Sequence, residues 1–219
     1  MNLVIKFPTR GRPDKFLKVL EKYVKNLDDR STKIIVSCDI DDVKMNNEDI
    51  RDILSQYDNV VLNYGNNKTK IEAINADLNN VDFDIILLAS DDMVPIVKGY
   101  DTIIKTKMLE HYPDTDGVLW FNDGYQGNKL NTLCILGKKY YDRFKYIYNP
   151  EYISVWSDNE FMDVANLLGK QTYFEQVIIQ HQHPDWGHGN RDEIHGLNIK
   201  NESHDRNVYN KRKQINFNI

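Results

Sequence analysis

Ile85-Ile86-Leu87-Leu88-Ala89-Ser90-Asp91-Asp92-Met93 is an apolar run that passes without a break into two adjacent carboxylates. A short continuous apolar run fits a strand buried on both faces, as in a parallel sheet covered by helices. Working back from it, with the strand taken as 83–88, three comparable runs stand at 3–7, 33–37 and 60–64. Helical patterns fill the gaps. Pro13 suits a first helical turn, and Phe16, Val19, Leu20, Tyr23, Val24 and Leu27 follow at helical spacing, with further helices expected over 50–57 and 69–78. Alternating strands and helices predict βαβ units, whose right-handed crossovers lay the strands parallel with helices on both faces. Residues 1–92 are thus expected to form a Rossmann-like half. Ligands of such sheets bind outside the carboxyl ends of the strands, so the polar loops 9–12, 39–42, 65–70 and 90–92 should line one crevice.

Past residue 93 the rhythm loosens. Helices are expected over 100–111, 138–144 and 159–168, and strands over 118–121, 132–136 and 173–179, which makes 93–180 a mixed, less periodic half of the same domain. From His181 the chain is polar and histidine-rich, and 181–219 reads as an irregular extension that completes the site and is ordered by ligand or metal.

Composition excludes several classes. Apolar residues make up 41% and charged residues 28% of the 219, too apolar for charge-driven disorder. A net charge of -5 gives no basic field for nucleic acid, and Lys211-Arg212-Lys213 reads as a solvated end. Cys38 and Cys134 lack any metal-ligand spacing. The longest apolar run is far short of the ~18 residues of a membrane span and no signal peptide is evident, so a cytoplasmic protein with no integral membrane segment is expected. No GxGxxG follows the first strand, and neither a P-loop nor a GxSxG elbow occurs.

Three clusters carry possible chemistry. Asp91 and Asp92 at a strand end repel each other unless a cation lies between them, and a hard divalent ion bridging a diphosphate is one answer; the other is that Ser90 or Asp91 caps a turn. In Trp156-Ser157-Asp158-Asn159-Glu160, a carboxylate before an amphipathic run either caps the helix or takes a proton from a hydroxyl nucleophile. In an extended segment His181 and His183 point the same way and could approach one cation or phosphate. His188, His195 and His204 read as surface histidines. Trp186 could pack on a sugar face or anchor a core. Trp120-Phe121-Asn122-Asp123 could wall a sugar site or simply end a strand.

The ordered set PTRGRP (8–13), SCDIDD (37–42), NKTKIEAINADL (67–78), IILLASDDM (85–93) and WSDNEFMDVA (156–165) resembles the GT-A glycosyltransferases, especially the family 2-like group, over roughly residues 3–168. The resemblance implies an α/β fold with a mixed, mostly parallel sheet. It also implies transfer of a sugar from a UDP- or GDP-type nucleoside-diphosphate sugar to a saccharide or other hydroxyl acceptor, with inversion favoured. Thr9, Arg12, Asp39 and Asp41 would then hold the nucleotide. Asp91 and Asp92 would hold Mn²⁺ or Mg²⁺ with the diphosphate, joined by a C-terminal histidine, His183 first and His181 second. Asp158 would be the general base, with Glu160 as its alternative. One departure is Ala73-Ile74-Asn75, where the family often has an Arg beside the Asn; Lys68 or Lys70 would supply that charge, as point charges without an Arg fork.

Rival readings are a sugar nucleotidyltransferase, opposed by the single glycine in the first loop, an inactive nucleotide-sugar-binding or structural protein on the same fold, and a metal-dependent hydrolase using the histidine-rich tail.

Overall fold

A computed structural model describes residues 1–182 and 193–219, the side chains of 193–195 and 197–199 excepted. The order is β1 (Leu3–Pro8), α1 (Pro13–Lys25), β2 (Lys33–Asp39), α2 (Glu48–Ser55), β3 (Val60–Gly65), α3 (Lys70–Asn75), β4 (Ile85–Leu88), β5 (Met93–Pro95), α4 (Tyr100–His111), β6 (Val118–Phe121), β7 (Ile135–Gly137), α5 (Lys138–Phe144), α6 (Ser157–Leu167), β8 (Gln171–Phe174), β9 (Ile179–His181) and α7 (Glu193–Gln214). Seven strands form one sheet in the order β3-β2-β1-β4-β7-β6-β8. The pairs β1/β2, β2/β3, β1/β4 and β6/β8 are parallel, and β7 is antiparallel to both its neighbours. This is the expected mixed, mostly parallel α/β architecture, and the sheet runs through both halves of the chain.

Strand alternation sends Leu3, Ile5 and Phe7 to one face of the sheet and Val4 to the other. On the first face they meet Phe16, Leu20 and Tyr23 of α1 and Ile104 and Met108 of α4. The second face packs Ile71 and Ile74 of α3, Tyr140 of α5 and Phe161 and Val164 of α6. Burial on both faces explains why the strands read as continuous apolar runs. The reduced cysteines belong to different cores, Cys38 to the first and Cys134 to the second. One cation enters the second face: Lys6 is fully buried, donates to the Ser37 hydroxyl and lies 3.8 Å from Asp77. Burial lowers its pKa to about 8 against the opposing pull of Asp77.

Three expectations are corrected. The strand predicted over 173–179 is two strands: β8 pairs with β6 in the main sheet, and β9 pairs antiparallel with β5, setting Met93 opposite His181. The exposed pair Glu175-Gln176 lies in the crossing between them. The tail is not irregular, because 22 residues of it form α7. Its inward face is Asp205, Tyr209 and Arg212, so it shows no apolar period to read. Finally, α6 begins at Ser157, two residues before the expected start. Among the described residues no helix is long and apolar enough to cross a membrane.

Candidate active site

The loop after β1 is fixed by backbone bonds and charge. Thr9 N–H donates to Ser37 O (3.0 Å), and the buried Thr9 Oγ1 has no partner among the described residues. Gly11 has φ +71°, open to glycine at no steric cost, and its N–H donates to Asp42 Oδ2 (2.6 Å). Arg10, between them, donates to Asp39 Oδ2 (2.5 Å) and to both Asp41 oxygens (2.7 and 3.1 Å). Asn67 Nδ2 reaches the other Asp39 oxygen at 3.0 Å. Thr9, Asp39 and Asp41 are therefore drawn to one place, held by an arginine that the sequence reading included in the loop but gave no role.

Arg12 turns the other way, with Nη1 3.2 Å from Asp91 Oδ1, and Lys15 Nζ stands 3.2 Å from the same oxygen. Asp91 thus lies between two cations. Asp92 has partners of its own: it accepts from the Ser90 hydroxyl and lies 3.6 Å from His181 Nε2. His181 Nδ1 is 3.5 Å from Asp123 Oδ2 on its other side. Asp123 is fixed in turn by the N–H groups of Tyr125 (2.9 Å) and Gln126 (2.7 Å) and the Thr132 hydroxyl (2.7 Å), and its carbonyl accepts His181 N–H (2.9 Å). Burial would raise both carboxyls and lower the imidazole. Their mutual attraction prevails, holding Asp92 well below the carboxylate range and Asp123 at about 2, and lifting His181 to about 9. In sequence Asp123 reads as part of a sugar-site wall or as a strand end; the signal for its contact with His181 is spatial, a second carboxylate across one histidine. His183, Trp186 and His188 lie outside the described residues, and so does the His195 side chain.

Lys68 and Lys70 are exposed at the start of α3. Thr69 Oγ1 accepts Glu72 N–H (3.0 Å) and Glu72 Oε2 accepts Lys68 N–H (2.7 Å), a reciprocal cap that fixes the turn carrying both lysines. Asn75 braces the loop 147–148, donating to Tyr148 O (2.7 Å) and accepting Ile147 N–H (2.9 Å).

Asp158 occupies the first turn of α6. The N-cap is Trp156, with left-handed backbone (φ +64°) and no side-chain cap, so neither Ser157 nor Asp158 has the capping role. The partly buried Asp158 carboxyl is raised above its usual pKa by burial, against Lys70, the Asn159 N–H (3.0 Å) and His181. Lys70 and His181 are thus the charges that bear on Asp158. Glu160 is not brought to this group. Its carboxylate, only 4% exposed, accepts from Arg212 Nε (2.8 and 3.1 Å) and the Tyr152 hydroxyl (2.8 Å), an interior ion pair with the tail helix.

No protein-family model matches the chain, and no curated protein sequence matches it. Solved structures do. Residues 1–349 of TarS from S. aureus superpose with a TM-score of 0.65 at 14% identity, over 82% of this chain and 60% of that one. The same fragment in complex with UDP-GlcNAc gives 0.64 at 14%, over 82% and 58%. The mannosyltransferase PcManGT from Pyrobaculum calidifontis, in complex with GDP-Man and Mn²⁺, gives 0.66 at 12%, over 93% and 69%. The fold is therefore that of the GT-A glycosyltransferases, and the chain spans about three fifths of the TarS fragment.

Proposed function

We propose that the chain is a metal-dependent glycosyltransferase that moves a sugar from a nucleoside-diphosphate donor to a hydroxyl acceptor, with inversion. One observation carries the reading: the loops that follow the parallel strands β1, β2 and β4 are drawn together by charge, Arg10 on Asp39 and Asp41 and Arg12 on Asp91, with Asp92 facing His181. The neighbours add plausibility, since PcManGT is in complex with GDP-Man and Mn²⁺ and the TarS fragment with UDP-GlcNAc.

The donor set suits a small divalent ion. Asp92 offers a carboxylate oxygen facing the imidazole nitrogen of His181, and among the described residues no three His, Cys, Asp or Glu side chains converge on one point. Mg²⁺-like ions commonly take one or two protein ligands and complete their shell with phosphate oxygens and water. The metal, Mn²⁺ or Mg²⁺, would be held by Asp92, with His181 as a further ligand once the ion displaces the proton between that imidazole and Asp92, and would neutralise charge on the leaving diphosphate. Asp91 keeps Arg12 and Lys15 gathered beside that position, and Lys68 or Lys70 would add positive charge for the phosphates from α3. Thr9, Asp39 and Asp41 receive the nucleoside. Asp158 takes the proton of the attacking hydroxyl, and its raised affinity for a proton suits that task. A cytoplasmic setting accords with two buried, reduced cysteines.

The test is a thermal-shift series on metal-stripped protein with UDP, GDP, CDP and TDP, each with and without Mn²⁺, followed by release of the diphosphate from the matching sugar donor with water or a saccharide as acceptor. A metal-dependent shift with one diphosphate and turnover abolished by Asp92→Ala is expected. Binding without turnover against any acceptor supports an inactive nucleotide-sugar-binding protein instead, and no shift at all defeats the reading.

A further inference from the structure

The loop that delivers Asp158 is held by a helix the sequence gave no reason to expect. Asp205 of α7 is fully buried, and its carboxylate accepts three consecutive backbone N–H groups, those of Ile153, Ser154 and Val155, each at 2.9 Å. Beside it, Arg206 lies over the Trp156 ring at 5.4 Å and the Tyr209 ring lies 5.2 Å from it. One turn further along, Arg212 binds Glu160 and reaches Glu151 at 2.7 Å, while the Tyr209 hydroxyl donates to Asp163 (2.6 Å). Residues 205, 209 and 212 are spaced to fall on one helix face. That face grips 151–163, the stretch with Asp158 at its centre.

Trp156 shows what the grip does. A bulky residue with φ +64° occupies a region that side chains other than glycine rarely visit, and such a conformation persists only where its surroundings over-determine it. Here the three amides before Trp156 are anchored on Asp205 and the ring is covered by Arg206 and Tyr209. The peptide after it begins α6 and sets the direction of Asp158, two residues on. A carboxylate that accepts a run of amides acts as the anion of a backbone nest, supplied here by the chain itself.

We propose that Asp205 is a positioning residue of the active site: through the 153–155 amides and the left-handed turn at Trp156, α7 fixes the aim of Asp158. The proposal rests on the reading of Asp158 as the base. It predicts that Asp205 governs turnover far more than donor binding, since Asp39 and Asp92 belong to other elements and the loop meets α3 through the longer Ile71 N–H bond to Ile153 O (3.4 Å).

The experiment compares Asp205→Asn, Asp158→Asn and the double variant with the full-length parent chain. It measures diphosphate release from UDP-GlcNAc or GDP-mannose with Mn²⁺, affinity for the corresponding Mn²⁺–diphosphate, and backbone hydrogen exchange. Expected for Asp205→Asn are faster exchange at Ile153, Ser154 and Val155, a kcat at least about tenfold lower, and diphosphate affinity within about twofold of the parent. Because Asp205 acts through Asp158, the double variant should be no slower than Asp158→Asn alone. Faster exchange with unchanged kcat overturns the proposal, as do losses that multiply. If Asp158→Asn itself leaves turnover intact, the base assignment fails, which is a separate outcome. Should Asp205→Asn fold poorly, Asp205→Glu keeps the charge and displaces it, and the same loss of kcat without loss of affinity is expected.

Discussion

Burial at the start of α6 raises the proton affinity of Asp158 against Lys70, the Asn159 N–H and His181, and two effects of opposite sign follow. A base works ionised, so the acid limb of kcat should lie above the ordinary carboxylate range, and Asp158→Asn should remove about 10²- to 10⁴-fold of turnover together with that limb. The folded state binds the Asp158 proton more tightly than the unfolded chain, so the ionised group opposes folding at any pH above its folded value. Asp158→Asn should therefore raise Tm near neutral pH, and the gain should vanish as pH falls below the unfolded carboxylate value of about 3.9. Asp123 makes a different prediction. It orients His181 without facing the crevice, so Asp123→Asn should raise the Mn²⁺ concentration needed for diphosphate binding by about 10- to 100-fold, read by equilibrium Mn²⁺ titration. Thr9, Asp39, Asp91 and Asp92 stand out in the sequence because each ends or follows an apolar strand. The roles of Arg10, Lys15 and Asp123 do not, because they are set by Asp39, Asp91 and His181, 29, 76 and 58 positions away along the chain.

Helices with apolar stripes declared themselves: α1, with Pro13 at its head and Phe16, Leu20 and Tyr23 inward, lies where the spacing put it. α7 did not, since its buried face is made of charge and hydroxyl. The Arg212–Glu160 pair ties it to α6, with side chains 9% and 6% exposed. Removing one partner of such a pair strands the other. Arg212→Met should cost about 3–5 kcal/mol, which at about 2–4 °C per kcal/mol lowers Tm by roughly 6–20 °C. Adding Glu160→Gln, which leaves no unpaired charge and still accepts from Tyr152, should recover a large part of the loss in a thermal melt. The 173–179 run misled for another reason. Its residues do favour strands, but propensity does not say which sheet a strand joins, and the chain leaves β8 for β9 to bring His181 beside Met93.

Across the molecule, one sheet buried on both faces leaves little room for charge, and Lys6 is its conspicuous exception. Its folded pKa of about 8 lies below the free lysine value of 10.5, so the unfolded chain holds the extra proton between those limits and folding gains stability as pH rises through them. Relative to Lys6→Met, the parent protein should gain Tm from pH 8 to pH 10, and a constant difference would show that Lys6 keeps its proton throughout. The mixed sheet with its parallel core was legible as a whole, because four strand-and-loop units repeat along residues 3–92. The packing of α7 on the loop before α6 was not, because it depends on residues 50 to 52 positions apart with no shared period. That packing also bears on how the molecule is made. A domain generally folds as a unit, its N-terminal part synthesised first, and Asp205, Tyr209 and Arg212 follow every strand of the sheet. On the ribosome, the turn at Trp156 must therefore wait for 205–212 to emerge before anything holds its left-handed backbone in place.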